Sequence, residues 1–286
     1  MYLLNGFLRW GCCDHFVVFD DLTFFSILFV LIQMADSEEV FRQLAIRPNP
    51  KQETIFAGLT PNMKGLEAAL KVGATEVGVF AAASETFSNK NINCSVNESI
   101  VRFEPVCKAA LEEGVRLRAG VSCVLDCPFE GPTDPKKVLD VVHRLLALGC
   151  YEVCLADTIG AGTAGSTSRL LECILRDIPA NKLAVHFHDT YGQALANIYT
   201  SLQFGISTID SSISGLGGCP FAPGATGNVA TEDVVYLLNG LNIDCGVDLD
   251  KLLDAAVYID DVLGQPTASK VGRALRSKRN AMKDSN

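Results

Sequence analysis

From residue 51 onward, short apolar segments rich in β-branched residues alternate with longer segments whose apolar residues recur at helical spacing. Glycine, proline and polar residues separate these segments. The alternation is typical of repeated βα units, in which parallel strands form a sheet and helices cover it. The pattern predicts six such units, with strands at residues 53–59, 76–82, 115–124, 151–156, 182–188 and 206–211.

The clearest predicted helix covers residues 134–149. It has Asp134 at the N-cap position, Pro135 in its first turn, apolar residues at helical spacing and a terminal glycine. Two further amphipathic helices are predicted at residues 248–263 and 268–282, where we expect them to cover one end of the fold.

Six parallel units do not close an eight-stranded barrel. Residues 22–32 are apolar enough to supply one further strand, and residues 36–44 are expected to form a short helix. We therefore predict the α/β class and a TIM-type (β/α) barrel that lacks the first one or two βα units and carries extra C-terminal helices. Residues 1–35 are interpreted as a divergent apolar N-terminal segment and residues 36–286 as the barrel domain.

Composition narrows the classes of partner. The chain has 286 residues, 48% of them hydrophobic, and a formal net charge of −9, which argues against nucleic acid because phosphate binding needs clustered Lys and Arg. Eleven cysteines lie scattered in apolar runs, which predicts buried free thiols in a reducing compartment. The 22–32 run is shorter than the about 20 residues of a membrane span, so no span is expected. No presequence pattern is visible in residues 1–35.

Residues 182–189 (KLAVHFHD) contain two histidines at alternate positions of a predicted strand. Side chains alternate between the two faces of a strand, so His186 and His188 are expected side by side on the inner face. They lie at the carboxyl end of the strand, where barrel enzymes carry their active sites. The spacing alone fits a pair of metal ligands or two buried, hydrogen-bonded histidines equally well.

Residues 212–228 are rich in glycine and proline and predict an irregular loop over the mouth of the barrel. Cys219 lies between Gly218 and Pro220, so its thiol is expected to be presented on exposed backbone, where it can transfer a proton. Asn228 closes the loop before a predicted helix at 230–241, and a helix-capping role is an alternative for it.

Several motifs resemble those of hydroxymethylglutaryl-CoA lyases. They are HFHDTYGQALAN at 186–197, DTIG at 157–160 and GLGGCP at 215–220, and the likeness extends from about residue 33 to residue 270. The resemblance implies cleavage of hydroxymethylglutaryl-CoA to acetyl-CoA and acetoacetate, in leucine degradation and ketone-body formation. It implies a small acyl-CoA substrate and a mitochondrial location, and it allows a homodimer. A genuine N-terminus without a presequence would indicate the cytoplasm.

The same resemblance implies that His186, His188 and Asn228 bind a divalent cation, Mg²⁺ or Mn²⁺. It implies a catalytic role for Cys219, which would protonate the thioester enolate, and for His186 in proton transfer. Asp157 and Glu232 match family residues important for activity, with a structural hydrogen-bonding role as the alternative for each.

Two other functions fit parts of the pattern. A related acyl-CoA condensing enzyme, such as an isopropylmalate synthase, resembles this chain in its barrel and histidine pair. Such enzymes resemble Gly-x-Gly-Glu-Arg-x-Gly-Asn in the loop, whereas this chain has Gly-Gly-Cys-Pro at 217–220. A catalytically impaired isoform that acts as a noncatalytic partner is the second alternative.

The resemblance also implies a first strand ending in an Arg-Asp pair, whose aspartate binds the metal and whose arginine stabilises the enolate oxygen. Residues 1–32 contain no such pair. We therefore expect weak metal binding and low activity in this chain. A version with a family-like first strand carrying the pair should turn over about 10²–10³ faster, measured as acetoacetate release during a manganese titration. Equal metal affinity and turnover in the two proteins would show that residues 1–32 supply the missing groups.

Overall fold

The computed structural model describes residues 40–42, 55–217 and 227–283. Within these ranges a parallel β-sheet is covered by helices, which confirms the predicted α/β class. The predicted strand at 22–32 and the N-terminal segment 1–35 lie outside the described residues. Of the helix predicted at 36–44, residues 40–42 are described and are helical.

The sheet has six strands, and their order in the sheet is their order along the chain. Neighbouring strands pair in parallel, which sets Arg118 opposite Glu152 and His186 opposite Asp210. This is the arrangement of a (β/α) barrel, in which each strand is followed by a helix. The strands are β1 Ala57–Leu59, β2 Glu76–Ala82, β3 Arg116–Ser122, β6 Glu152–Asp157, β7 Leu183–Phe187 and β8 Thr208–Asp210, with a two-stranded hairpin of β4 Asp126–Cys127 and β5 Gly131–Pro132 after β3.

A helix follows every strand of the sheet, so the six predicted βα units are confirmed. The two helices predicted near the C-terminus are also present. The helices are α1 Met63–Lys71, α2 Glu85–Ile92, α3 Val96–Glu112, α4 Pro135–Ala147, α5 Ala164–Ile174, α6 Ala194–Gln203, α7 Thr231–Gly240, α8 Leu249–Leu263 and α9 Lys270–Lys283.

Strand β7 shows how the sheet separates its two faces. Leu183, Val185 and Phe187 belong to the hydrophobic core that packs between the sheet and the helices. His186 lies on the opposite face, where its Nδ1 is 3.6 Å from Oδ2 of Asp210 on β8. The alternation of KLAVHFHD therefore predicts correctly which side chains face the barrel interior.

Helix α4 begins and ends where the sequence predicts. Asp134 is the N-cap, and its side chain accepts a hydrogen bond from the backbone N–H of Lys136 at 2.9 Å. Pro135 occupies the first turn, and the chain turns away at Gly149, whose φ of 95° lies in the left-handed region that favours glycine. Buried residues along one face of the helix pack on the sheet.

The differences from prediction lie at element ends and in one insertion. The strand predicted at 182–188 is longer than β7, because the chain forms a 3₁₀ turn at Ala180–Lys182 and His188 lies past the end of the strand, in an isolated bridge with Asn228. The β4–β5 hairpin was not predicted, since strands of two residues carry no periodic pattern.

Two predictions from composition also have structural outcomes. No described helix has both the length and the apolar character required to cross a bilayer. The eight cysteines within the described ranges are free thiols, and all but the half-buried Cys173 are buried, as their apolar sequence contexts predict.

The cap on α4 gives a simple test of how the helix is held. Replacing Asp134 with Ala removes the acceptor for an N-terminal backbone N–H, and such a loss typically costs about 1 kcal/mol. We expect Asp134→Ala to lower the free energy of unfolding by that amount, measured by chemical denaturation. An unchanged midpoint and slope would mean that water replaces the cap without cost.

Candidate functional site

The two predicted histidines meet at the carboxyl end of β7. The ring centroids of His186 and His188 are 5.4 Å apart, and the ring planes are inclined by 47°. His188 is buried, whereas the side chain of His186 is 19% exposed. The pair therefore lies at the edge of the barrel interior, with the less buried ring within reach of a bound molecule.

Asn228 joins this pair through the backbone. It forms an antiparallel bridge with His188, and its side-chain N–H group donates to the carbonyl oxygen of Leu216 at 2.8 Å. The backbone N–H of Val229 donates to Phe187 O at 3.2 Å, which continues the attachment to the end of β7. The structure thus brings together the three residues predicted as metal ligands.

His188 is in a state suited to metal binding. Burial, reinforced by the neighbouring His186, lowers the pKa of His188 to about 3, so the ring is neutral at physiological pH. A neutral imidazole is the form that binds a metal. Within the described part of the chain, Nδ1 of His188 is buried without a hydrogen-bond partner.

A buried ion cluster lies beneath His186. The Arg118 guanidinium donates to both carboxylate oxygens of Asp210, at 3.1 and 2.9 Å, and its Nε donates to Glu152 at 2.7 Å. The Cys154 thiol donates to Asp210 at 3.1 Å. Burial alone would raise the pKa of Asp210, but Arg118 and His186 outweigh burial and lower it to about 2, so Asp210 is an anion beside His186.

Asp157 ends β6, next to the end of β7. Its side chain is fully buried and accepts a hydrogen bond from the backbone N–H of Gly162 at 2.9 Å. Burial raises the pKa of Asp157 to about 6, against the opposing effect of backbone N–H donors. A Cβ added at Gly160 would lie 2.7 Å from the carbonyl oxygen of His188, so this loop packs directly on the histidine backbone.

Glu232 lies in the first turn of α7. It is fully buried, and its two carboxylate oxygens each lie 3.1 Å from the backbone N–H of Ser214, which donates to both. Burial raises the pKa of Glu232 to about 7, although backbone N–H donors, including Ser214, oppose the shift. Glu232 therefore holds the turn that follows β8 and leads into the glycine-rich segment.

The sequence predicts the histidine pair, Asn228, Asp157 and Glu232 as site residues, and it does not predict the ion cluster. The pattern at 206–211 indicates only an apolar strand that contains Asp210, and it assigns no role to Arg118 or Glu152. A signal was present, because charged residues at interior positions of buried strands require partners. The predicted catalytic residue Cys219 lies outside the described residues.

The described residues allow one candidate metal site. No group of three or more His, Cys, Asp or Glu side chains in the described ranges is arranged to hold a metal. The candidate set is instead two imidazoles and one carboxamide, from His186, His188 and Asn228. The His188 ring and the carboxamide are neutral donors, and the buried His188 nitrogen without a partner among the described residues fits a ligand role better than a structural one.

A cleft of about 460 Å³ opens beside Asn228. It runs between the segment after β7 and the start of α9, and its lining includes the largely exposed Tyr191 and the side chain of Lys270. Its volume falls within the range of small-molecule sites. Asn228 therefore lies in the wall of this cleft, whose lining among the described residues does not include His186 or His188.

Comparison with known proteins gives one consistent result. Residues 30–259 match the HMGL-like family. A Pseudomonas aeruginosa protein named 3-hydroxy-3-isohexenylglutaryl-CoA/hydroxy-methylglutaryl-CoA lyase is 56% identical over 246 residues, which cover 86% of this chain and 81% of that protein. Relatives at 51 to 54% identity include proteins named hydroxymethylglutaryl-CoA lyase, some mitochondrial and some cytoplasmic.

Solved structures agree in fold as well as in sequence. The crystal structure of hydroxymethylglutaryl-CoA lyase from Pseudomonas aeruginosa has a TM-score of 0.85 and 55% identity, covering 90% of this chain and 84% of that one. An HMG-CoA lyase from Acinetobacter baumannii, in complex with coenzyme A and 3-methylmalate, has a TM-score of 0.82 and 31% identity, covering 88% of this chain and 81% of that one.

The buried ion cluster predicts a sharp contrast between two aspartates. Asp210→Ala leaves the buried Arg118 charge short of a partner, so we expect the free energy of unfolding to fall by about 3–5 kcal/mol. The matched control is Asp261→Ala, because Asp261 is 69% exposed and pairs with Arg276 at 3.3 Å. Loss of this surface pair should cost at most about 1 kcal/mol. Similar losses in both variants, measured by urea denaturation, would contradict the importance of the cluster.

Proposed function

The chain belongs to the HMGL-like family, and we propose that it is a carbon–carbon lyase that cleaves 3-hydroxy-3-methylglutaryl-CoA to acetyl-CoA and acetoacetate. The observation that carries the proposal is the meeting of His186, His188 and Asn228 at the carboxyl end of a barrel strand. In a (β/α) barrel, this end is where catalytic groups from different strands converge.

We propose that these three residues hold a divalent cation, Mg²⁺ or Mn²⁺. The fit rests on the neutral, buried ring of His188 and on its nitrogen without a partner among the described residues. When bound, such a cation supplies positive charge that polarises substrate oxygens and stabilises the negative charge that develops on them. Asp210 adds a negative charge 3.6 Å from Nδ1 of His186, as carboxylates behind metal-binding histidines do.

The reaction needs one proton removed and one returned. The tertiary hydroxyl loses its proton, the carbon–carbon bond breaks, and the electron pair passes to the thioester as an enolate that is then protonated. Proton removal by His186 stays a prediction from the sequence: Nδ1 faces the Asp210 carboxylate at 3.6 Å, so the ring would take the proton on Nε2, at a stage when that nitrogen is not bound to the cation. Protonation of the enolate is assigned to Cys219, a role that stays a prediction from the sequence.

Asp157 and Glu232, which the resemblance predicts to be important for activity, each accept hydrogen bonds from backbone N–H groups near the site. Asp157 fixes the loop after β6 through Gly162, and Glu232 fixes the turn after β8 through Ser214. Both segments adjoin the histidine pair and Asn228. We propose that the two carboxylates are needed for activity because they keep these segments in place.

We propose that the acyl group of an acyl-CoA substrate binds next to Asn228, from the cleft whose lining also includes Lys270. The Acinetobacter baumannii relative, whose structure contains coenzyme A, supports the same class of substrate. Its ligand 3-methylmalate carries a hydroxyl group and carboxylates, which are oxygen donors of the kind a bound cation would meet.

The test compares two histidine variants in the presence of Mn²⁺. His188→Ala should lower turnover, and raise the Mn²⁺ dissociation constant, by more than the about 10–100-fold expected for loss of an outer partner of a metal ligand. His143→Ala is the matched control, since His143 lies on α4 with its side chain 50% exposed. Acetoacetate and acetyl-CoA should appear in equal amounts.

Two results would contradict the proposal. One is equal Mn²⁺ affinity and equal product formation in the two histidine variants. The other is product formation that persists unchanged after chelation and dialysis, because the proposed chemistry depends on the cation. The loss in His188→Ala should appear with a melting temperature close to that of the unaltered chain.

A further inference from the structure

The start of α9 is clamped to α7 by one buried carboxylate. Asp233, on α7, accepts hydrogen bonds from the Ser269 hydroxyl at 2.7 Å, from the backbone N–H of Lys270 at 3.2 Å and from that of Val271 at 2.8 Å. The Ser269 hydroxyl in turn accepts from the backbone N–H of Gly272 at 2.8 Å and so caps the helix. A negative charge at a helix N-terminus is favourable, and Asp233 is buried there.

The segment just before α9 holds the turn that follows β8. The backbone N–H of Ala268 donates to the carbonyl oxygen of Ser214 at 3.0 Å, while the N–H of Ser214 donates to Glu232. Ser214 has a φ of 56° and Gly215 a φ of 70°, both in the left-handed region. A non-glycine residue is uncommon in this conformation, so contacts on both sides are needed to hold the turn.

The same turn fixes the side chain of Asn228. The carbonyl oxygen of Leu216 accepts from the Asn228 side-chain N–H at 2.8 Å. A Cβ added at Gly215 would lie 3.1 Å from the Asn228 backbone oxygen and 3.1 Å from Cβ of Ala268, so turn, asparagine and the segment before α9 are in close contact. Fixing the N–H end of the carboxamide also fixes the direction of its oxygen.

We propose that Asp233 is a positioning residue for Asn228: by anchoring the start of α9, it holds the 213–216 turn and thereby the carboxamide. This inference rests on the proposed function, in which Asn228 is a metal ligand. It gives the C-terminal helix a part in the site, although the helix supplies none of the three proposed ligands. A metal ligand whose supporting contacts are lost binds less tightly even when the ligand itself is unchanged.

The test uses the full chain in three variants. Asp233→Ala removes the clamp, and Asp233→Asn keeps one side-chain oxygen as acceptor but loses the charge. Asp134→Ala is the matched control, because it removes an aspartate that caps α4 through Lys136, away from the 213–216 turn. Each variant is measured by hydrogen–deuterium exchange and by Mn²⁺ titration with electron paramagnetic resonance, at a temperature where all are folded.

We expect Asp233→Ala to speed exchange in peptides that contain Ser214 and Leu216, and to raise the Mn²⁺ dissociation constant by about tenfold or more. Asp233→Asn should give intermediate changes. Asp134→Ala also loses a helix cap, but it should leave hydrogen–deuterium exchange at the 213–216 turn and the Mn²⁺ dissociation constant unchanged.

The outcomes separate this inference from the proposed function. Unchanged exchange at the 213–216 turn in Asp233→Ala and Asp233→Asn overturns the positioning role, whether or not Mn²⁺ binds. Faster exchange with unchanged Mn²⁺ affinity also overturns it, because the turn would then not control the ligand. If the unaltered chain binds no Mn²⁺ at any concentration tested, the metal site of the proposed function fails and the inference fails with it.

Discussion

The buried pairing of Arg118 with Asp210 and Glu152 constrains the whole centre of the barrel. A guanidinium taken out of water is costly unless its donors are matched by carboxylates in good geometry, and here three strands must keep their register to provide that match. The Thr208 hydroxyl on β8 also donates to Glu152 at 2.8 Å, so the second carboxylate oxygen of Glu152 has a neutral hydrogen-bond partner. Because Asp210 lies opposite His186 in the β7–β8 pairing, the register that satisfies Arg118 also determines what lies behind the histidine.

The cluster has an uneven charge balance that bears on the cation site. One guanidinium faces two carboxylates, and Asp210 stays ionised because Arg118 and His186 lower its pKa. We infer that an excess of negative charge just below the neutral His188 ring makes the region above the histidine pair attractive to a cation. The proposed ligands therefore need not carry negative charge themselves, because the carboxylates of Asp210 and Glu152 supply it beneath them.

Much of this arrangement could be predicted from sequence, and the limits have a physical origin. The alternation of KLAVHFHD gives the facing of His186, because strand periodicity is a local property. The link between Arg118 and Asp210 joins residues 92 positions apart, and no local pattern encodes which strands become neighbours across the barrel interior. The β4–β5 hairpin is local in sequence but is still not predicted, because its two-residue strands are too short to show a periodic pattern. The hypothesis that His188 and Asn228 act together as metal ligands comes from the family resemblance, because neither kind of pattern predicts it.

The glycine-rich segment enters and leaves the described fold at a single point. Gly227 has a φ of 105°, and a Cβ there would collide with the carbonyl oxygen of Gly217, so the two backbones touch. The backbone N–H of Asp189, just after β7, donates to the Gly227 carbonyl oxygen at 3.0 Å and so attaches this junction to the sheet. The contact between Gly217 and Gly227 already brings the two ends of the segment together. Residues inserted, deleted or exchanged between these glycines therefore need not alter the path of the chain on either side. A change of length or sequence between Gly217 and Gly227 therefore need not disturb the bridge between His188 and Asn228, because both of its residues lie outside that segment.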